Sequence, residues 1–176
     1  MNIQSSSRIE HPFGSVFLAY RDRLPEVAAF VPDVAAIVVR ARRELPDGTI
    51  ELHNEWSSDR EVPAVLSSIV RQDQLCWDDF ASWAPSGLCT WRIQTRAFTE
   101  AVRCSGTTRL VADGAGTRVE LSGSLTLGVE KVRGIPRLLA SRIGPQLEKF
   151  VVSLVTPNLE KTNVAIARFL DAEGRR

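Results

Sequence analysis

The sequence predicts an α+β fold: an antiparallel sheet of six to seven strands followed by one long C-terminal helix. Three observations carry that prediction. From about Val34 to Val129 apolar residues recur at every second position, the period of a strand. From Pro145 to Ala172 they recur at 3.6, the period of an amphipathic helix. Ahead of the sheet stand two proline-led stretches of helical spacing, too short to be more than two short helices.

Each element follows from its residues. Ser5–His11 reads as a first strand, although only Ile9 gives it apolar character. Pro12 suits the first position of a helix, and Phe13, Val16, Phe17 and Tyr20 follow at helical spacing. Pro25 opens the second short helix, with Val27, Ala28 and Phe30 before a stop at Pro32. Ala35–Leu45 is a strand that ends in the turn Pro46-Asp47-Gly48. In Thr49–Ser58, Ile50, Leu52, Asn54 and Trp56 share one face, while Glu51, His53, Glu55 and Ser57 share the other. Leu75–Trp83, Leu88–Phe98, Val102–Ala112 and Thr117–Val129 complete the strands. The last is the clearest, with Val119, Leu121, Leu125 and Leu127 alternating against Arg118, Glu120, Ser122 and Ser124. On the C-terminal helix Leu147, Val151, Leu154, Ile166, Phe169 and Leu170 fill one arc, opposite Lys149, Glu160, Lys161 and Arg168. Pro157 withholds a donor from the carbonyl of Ser153 and predicts a bend.

Composition narrows the function classes. A length of 176 residues favours one domain spanning 1–176, with enough chain for a core that needs neither metal nor disulfide. Hydrophobic residues at 44% and charged residues at 24% are those of an ordinary globular protein. A net charge of +1 argues against nucleic acid as a partner. No apolar run reaches the ~20 residues of a membrane span, so no stable membrane insertion is expected. The N-terminus lacks the basic start and apolar centre of a signal peptide, and the three cysteines lack CxxC spacing. Reduced thiols in the cytoplasm are the expectation.

The order of strand, two short helices, six antiparallel strands and long helix resembles the helix-grip fold of the START/SRPBCC superfamily, which includes the birch-pollen-type allergens, lipid-transfer domains and polyketide aromatase/cyclases. The local wording is similar too: LPEVAAFVPDVAAIVV at the passage from short helix to second strand, DGAGTRVELSGSLTL at the last turn and strand, and PNLEKTNVAIARFL in the final helix. The resemblance implies a curved sheet wrapped around the long helix, with an apolar cavity between them. One departure is the long connection Arg60–Gln74, where Val65, Leu66, Ile69 and Val70 read either as a lid or as a short helix sealing the sheet end.

Four tryptophans beside one methionine form a biased aromatic choice, and Trp56, Trp77 and Trp91 fall on apolar strand faces. A hairpin of even count around Pro85-Ser86 would instead turn Trp77 outward and Phe80 inward. Polar residues interrupt the same faces: Asn54, Asp79, Asn158 and Thr162. A buried polar group without a partner costs ~1–3 kcal/mol, so each calls for a protein, water or ligand partner; Asn158 could instead satisfy a carbonyl freed by Pro157. The expected ligand-binding set is Asn54, Trp56, Trp77, Trp91, Leu121, Leu125, Leu154, Asn158 and Thr162. No cofactor and no metal site is expected, since Cys76, Cys89 and Cys104 lack a fourth ligand and close spacing. His53 falls on the wet face, and neither it nor His11 stands in a hydrolase motif. Arg40 and Arg42 would suggest an acidic headgroup only if they pointed inward.

Two functions are consistent with these residues. One is binding or transport of a hydrophobic small molecule (lipid, polyketide or isoprenoid) without catalysis. The alternative is an aromatase/cyclase-type enzyme, for which Asp79 is the only carboxylate placed inside and so the only candidate acid. Oligomeric state is left open.

Overall fold

Alternating apolar and polar residues lay down seven strands: β1 (Asn2–Ile9), β2 (Val34–Glu44), β3 (Ile50–Ser58), β4 (Cys76–Trp83), β5 (Leu88–Thr95), β6 (Val102–Asp113) and β7 (Gly116–Leu127). The computed structural model describes residues 1–128, 131–132 and 137–175; of residues 65, 137–143 and 153–160 it describes the backbone and not the side chains. All neighbours are antiparallel, in the order β1-β7-β6-β5-β4-β3-β2, and the sheet is curved. Register shifts at Val34/Ala36 and Val39/Ala41 let β2 follow that curvature. The passage from β1 at one edge to β2 at the other is made by α1 (Phe13–Asp22), α2 (Leu24–Val27) and a 3₁₀ turn (Ala28–Phe30). The long helix α3 (Arg137–Glu173) returns against α1, α2, β1 and β7. The core lies between the inner sheet face and these helices: Val16, Val27, Val119, Leu147 and Ile166 are almost wholly buried there.

Three elements differ from those expected by three residues or more at one end. β1 begins at Asn2 and ends at Ile9, because pairing with β7 from Asn2↔Ser124 to Ile9↔Thr117 defines it; Ser5 and Ser7 occupy inward positions that composition could not mark as buried. β5 stops at Thr95, where the chain turns with Thr99 Oγ1 donating to the Thr95 carbonyl at 2.8 Å, and Phe98 packs into the core as an anchor instead. The last helix starts at Arg137, not Pro145. The run from Arg137 to Ile143 is rich in helix-forming residues, and a proline inside a helix removes one donor without stopping it. The backbone is helical through the expected bend at Pro157, so the proline does not end the helix; the side chains of Leu154 and Asn158 lie outside the described residues.

The long connection contributes two 3₁₀ turns, Ala64–Leu66 and Gln72–Gln74, and buries Leu66 and Val70 to 1% and 2% exposure. It is anchored in the core by those two side chains. Among the described residues no helix is long and apolar enough to cross a membrane.

Candidate binding chamber

The inner wall is set by the period of β4. Trp83 pairs with Cys89 across a turn closed by Gly87, whose φ of 85° suits glycine. That count of residues sends Trp77, Asp79, Ala81 and Trp83 inward and Asp78, Phe80 and Ser82 outward, so the alternative parity does not occur. Pairing then places Trp56 beside Trp77, Asn54 beside Asp79, and Trp91 beside Ala81. The Trp56 and Trp77 rings stack at 5.8 Å and 21°. Trp83 packs on Phe17 and Tyr20 from α1, at 5.7 and 5.6 Å.

Trp91 has a seat made for it. Its ring lies over Gly106 and Gly123, which face each other on β6 and β7. A Cβ on Gly106 would stand 2.6 Å from the ring and 2.3 Å from the Ser122 carbonyl; one on Gly123 would stand 2.8 Å from the ring. The two glycines therefore let the indole approach the backbone. Its N–H donates to Thr108 Oγ1 at 3.1 Å.

These rings enclose a chamber of about 80 Å³, walled by Trp56, Trp77, Trp83, Trp91, Ile93, Leu121 and Tyr20 and closed by Thr162 and Asn163 of α3. Of the expected residues, Trp56, Trp77, Trp91, Leu121 and Thr162 line it. Asn54 is fully buried behind Asp79 and does not line it. Leu125 does not line it either: it is 3% exposed, but it pairs with Cys104 two steps along the same face, beyond the wall. Sequence reasoning missed Tyr20 and Asn163. Tyr20 Oη donates to Asn163 Oδ1, and Asn163 Nδ2 donates to Ser7 Oγ at 2.7 Å. The signals were the inward stripe of α1 and a polar pair, Thr162-Asn163, on an apolar helix.

Asp79 is the charged group of the wall. It is half-buried and lines the chamber. Burial pushes its carboxyl up to about 6, against the opposing pull of Asn54, of the Trp56 indole and of His53 across the sheet. Asn54 Nδ2 donates to Oδ2 at 3.2 Å. The Trp56 N–H lies near enough to influence the carboxyl but completes no hydrogen bond, and Asn54 Oδ1 has no partner. Burial also raises the Cys89 thiol, and pushes Cys104 up to about 12, so neither is a thiolate at neutral pH. Among the described residues no cluster of His, Cys, Asp and Glu could hold a metal ion, and all three cysteines are free.

The outer face is chemically different. His53 Nε2 is 2.6 Å from Asp78 Oδ1, and its ring stacks on Phe80 at 4.5 Å. The Arg92 guanidinium covers Phe80 from the other neighbouring strand, 4.4 Å from its centroid. Arg40 and Arg42 point away from the chamber: Arg40 pairs with Glu55 at 2.9 Å and Arg42 with Asp22 at 2.7 Å, so they offer no internal anion site.

No protein-family model and no curated protein matches the chain. Solved structures do. A Thermus thermophilus protein is 18% identical over 98% of this chain and 99% of its own, with a TM-score of 0.68. The Zhui aromatase/cyclase of a Streptomyces species is 14% identical over 99% and 98%, TM-score 0.62. A norcoclaurine synthase point mutant from Thalictrum flavum is 12% identical over 98% and 96%, TM-score 0.58. At such identities the likeness is one of fold alone: a curved antiparallel sheet with a long C-terminal helix, the helix-grip arrangement.

Proposed function

We propose that the chain acts as one domain that binds a hydrophobic small molecule between the sheet and α3, without turnover. The observation that carries this reading is the wall: four indoles and a phenol converge on one internal chamber, where core filling alone would scatter them. At about 80 Å³ the chamber is roughly half the ~150 Å³ that admits benzene in an apolar protein cavity. A lipid, polyketide or isoprenoid would therefore enter only as wall side chains move aside. A second reading, a cyclase-type enzyme, is favoured by one feature: Asp79, held near 6, could hand a proton to a bound carbonyl.

Tryptophan emission tests the first reading. Naphthalene or dodecanoic acid should change it saturably in the micromolar range, and failure of both would remove the proposal. Mass spectrometry of the recovered ligand separates the two readings. An unchanged ligand supports a carrier. A product that appears with the parent and not with Asp79→Asn supports the enzyme.

A further inference from the structure

Asp79 is the only charged side chain on the chamber wall among the described residues. Its carboxyl receives one hydrogen bond, from Asn54, and takes part in none of the ion pairs those residues form. A buried carboxylate without a basic partner costs several kcal/mol, and it is relieved either by a proton or by a cation. The surroundings favour the cation. The wall carries four indoles, Trp56, Trp77, Trp83 and Trp91, a ring type whose π-density attracts an ammonium and does little for a neutral hydroxyl. A hydroxyl would donate to the carboxylate and leave its charge uncompensated. The volume fits the same conclusion, since a space about half the ~150 Å³ cavity that admits benzene suits a compact ammonium with a few carbons better than a long apolar chain.

The geometry points to selection of a small protonated amine with an apolar body, its ammonium held by the Asp79 carboxylate among the indoles of the same wall. This rests on the reading that the chamber takes a small molecule, and it names the chemistry of that molecule's polar end. The supporting titration is internal. Asp79 is neighboured by Cys89 on β5, Cys104 on β6, Tyr20 on α1 and His53 on the outer face of β3, while α3 presents Thr162 and Asn163, which do not titrate. The thiols and the phenol stay neutral near pH 7. Among the described residues that line the chamber, Asp79 is the group that changes charge between acid and neutral pH.

The experiment compares two probes of nearly the same shape, tert-butylammonium and tert-butanol, by calorimetry, with naphthalene as a neutral control. At about pH 8 the ammonium should bind the parent at least about tenfold more tightly than the alcohol. That preference should shrink as the pH falls to about 5, where Asp79 is protonated while the alkylamine, with an ordinary pKa of about 10, stays charged. In Asp79→Asn the preference should vanish, whatever the change in naphthalene affinity. Equal binding of the two probes to the parent, a preference that survives in Asp79→Asn, or one that does not weaken on acidification would each overturn the amine inference. If naphthalene still binds in those cases, the hydrophobic-ligand reading stands; if it fails as well, both fall. The acid arm needs no variant, so a misfolded Asp79→Asn would not shelter the inference.

Discussion

Asp78 and Asp79 are neighbours on β4, and the pleat sends them to opposite faces of the same sheet. On the outer face Asp78 meets His53 at 2.6 Å and Arg96 at 3.8 Å, within a chain of ion pairs that continues through Glu55 to Arg40. On the inner face Asp79 meets an amide, indole rings and a chamber. One carboxylate stands among basic side chains on a partly exposed face, the other beside apolar surface. The difference teaches that residue type alone does not specify chemistry here. Position in a two-residue period decides whether a carboxylate stabilises the sheet or equips a site.

The largest expected effect that tests this contrast is on the inner face. Trp91→Ala removes a ring that is 7% exposed, seated on two glycines and hydrogen-bonded to Thr108. It should cost about 3–5 kcal/mol in urea unfolding, nearer the low end because one side of the ring faces the chamber. It should also enlarge the space available to naphthalene. A loss under about 1 kcal/mol would show that the ring is not packed as described, and that the glycine seat has no energetic meaning.

Much of this contrast was legible beforehand. The alternation in β3 and β7 is strict, so the inward placement of Asn54, Trp56 and Leu121 could be read directly. Asp79 could be placed once the turn after Trp83 was counted. The missing parts have physical causes. Long-range pairing sets β1, and serine carries no burial signal. α3 runs through a Gly-Pro pair that local reasoning treats as a start. Tyr20 and Asn163 meet across 143 residues, a contact that no local period encodes. Leu125 shares a face with Leu121 but not a wall, because the face extends past the chamber; periodicity gives the side of a sheet and not the position along it.

The next effect sharpens the inner half of the comparison through pH. Asp79 titrates at about 6 in the folded chain against an ordinary 3.8, so folding favours its protonated form. Its contribution to stability is therefore full below about pH 4 and is lost as pH rises through 6. The loss amounts to roughly 3 kcal/mol at most, from the gap between the two pKa values. Asp79→Asn removes this dependence. Measured by urea midpoints, the variant should gain on the parent between about pH 4 and pH 7 and then hold a constant lead. A difference that does not change with pH would mean that the carboxyl is better solvated or better paired than its setting indicates.

The smallest effect belongs to the outer face. Asp78→Asn keeps the shape of the side chain and removes its charge. Its partners are not stranded, because His53 keeps its stack on Phe80 and Arg96 keeps Glu55. The side chains at this pair retain 32% and 18% exposure, so solvent screens what Coulomb attraction they have. The variant should lose less than about 1 kcal/mol, and less still in high salt. Naphthalene affinity should stay within about twofold of the parent, since the carboxyl and the chamber lie on opposite sides of the backbone and an uncharged probe does not read the His53 charge that both aspartates feel. The pair of variants tests the contrast as a whole. If Asp78→Asn proved as costly as Trp91→Ala, or altered binding as strongly as Asp79→Asn, the two faces would not be the independent environments that the pleat creates. If Asp78→Asn is nearly silent while Asp79→Asn changes both the pH profile and the choice of ligand, adjacent aspartates divide the work of one strand between holding the sheet and equipping the chamber.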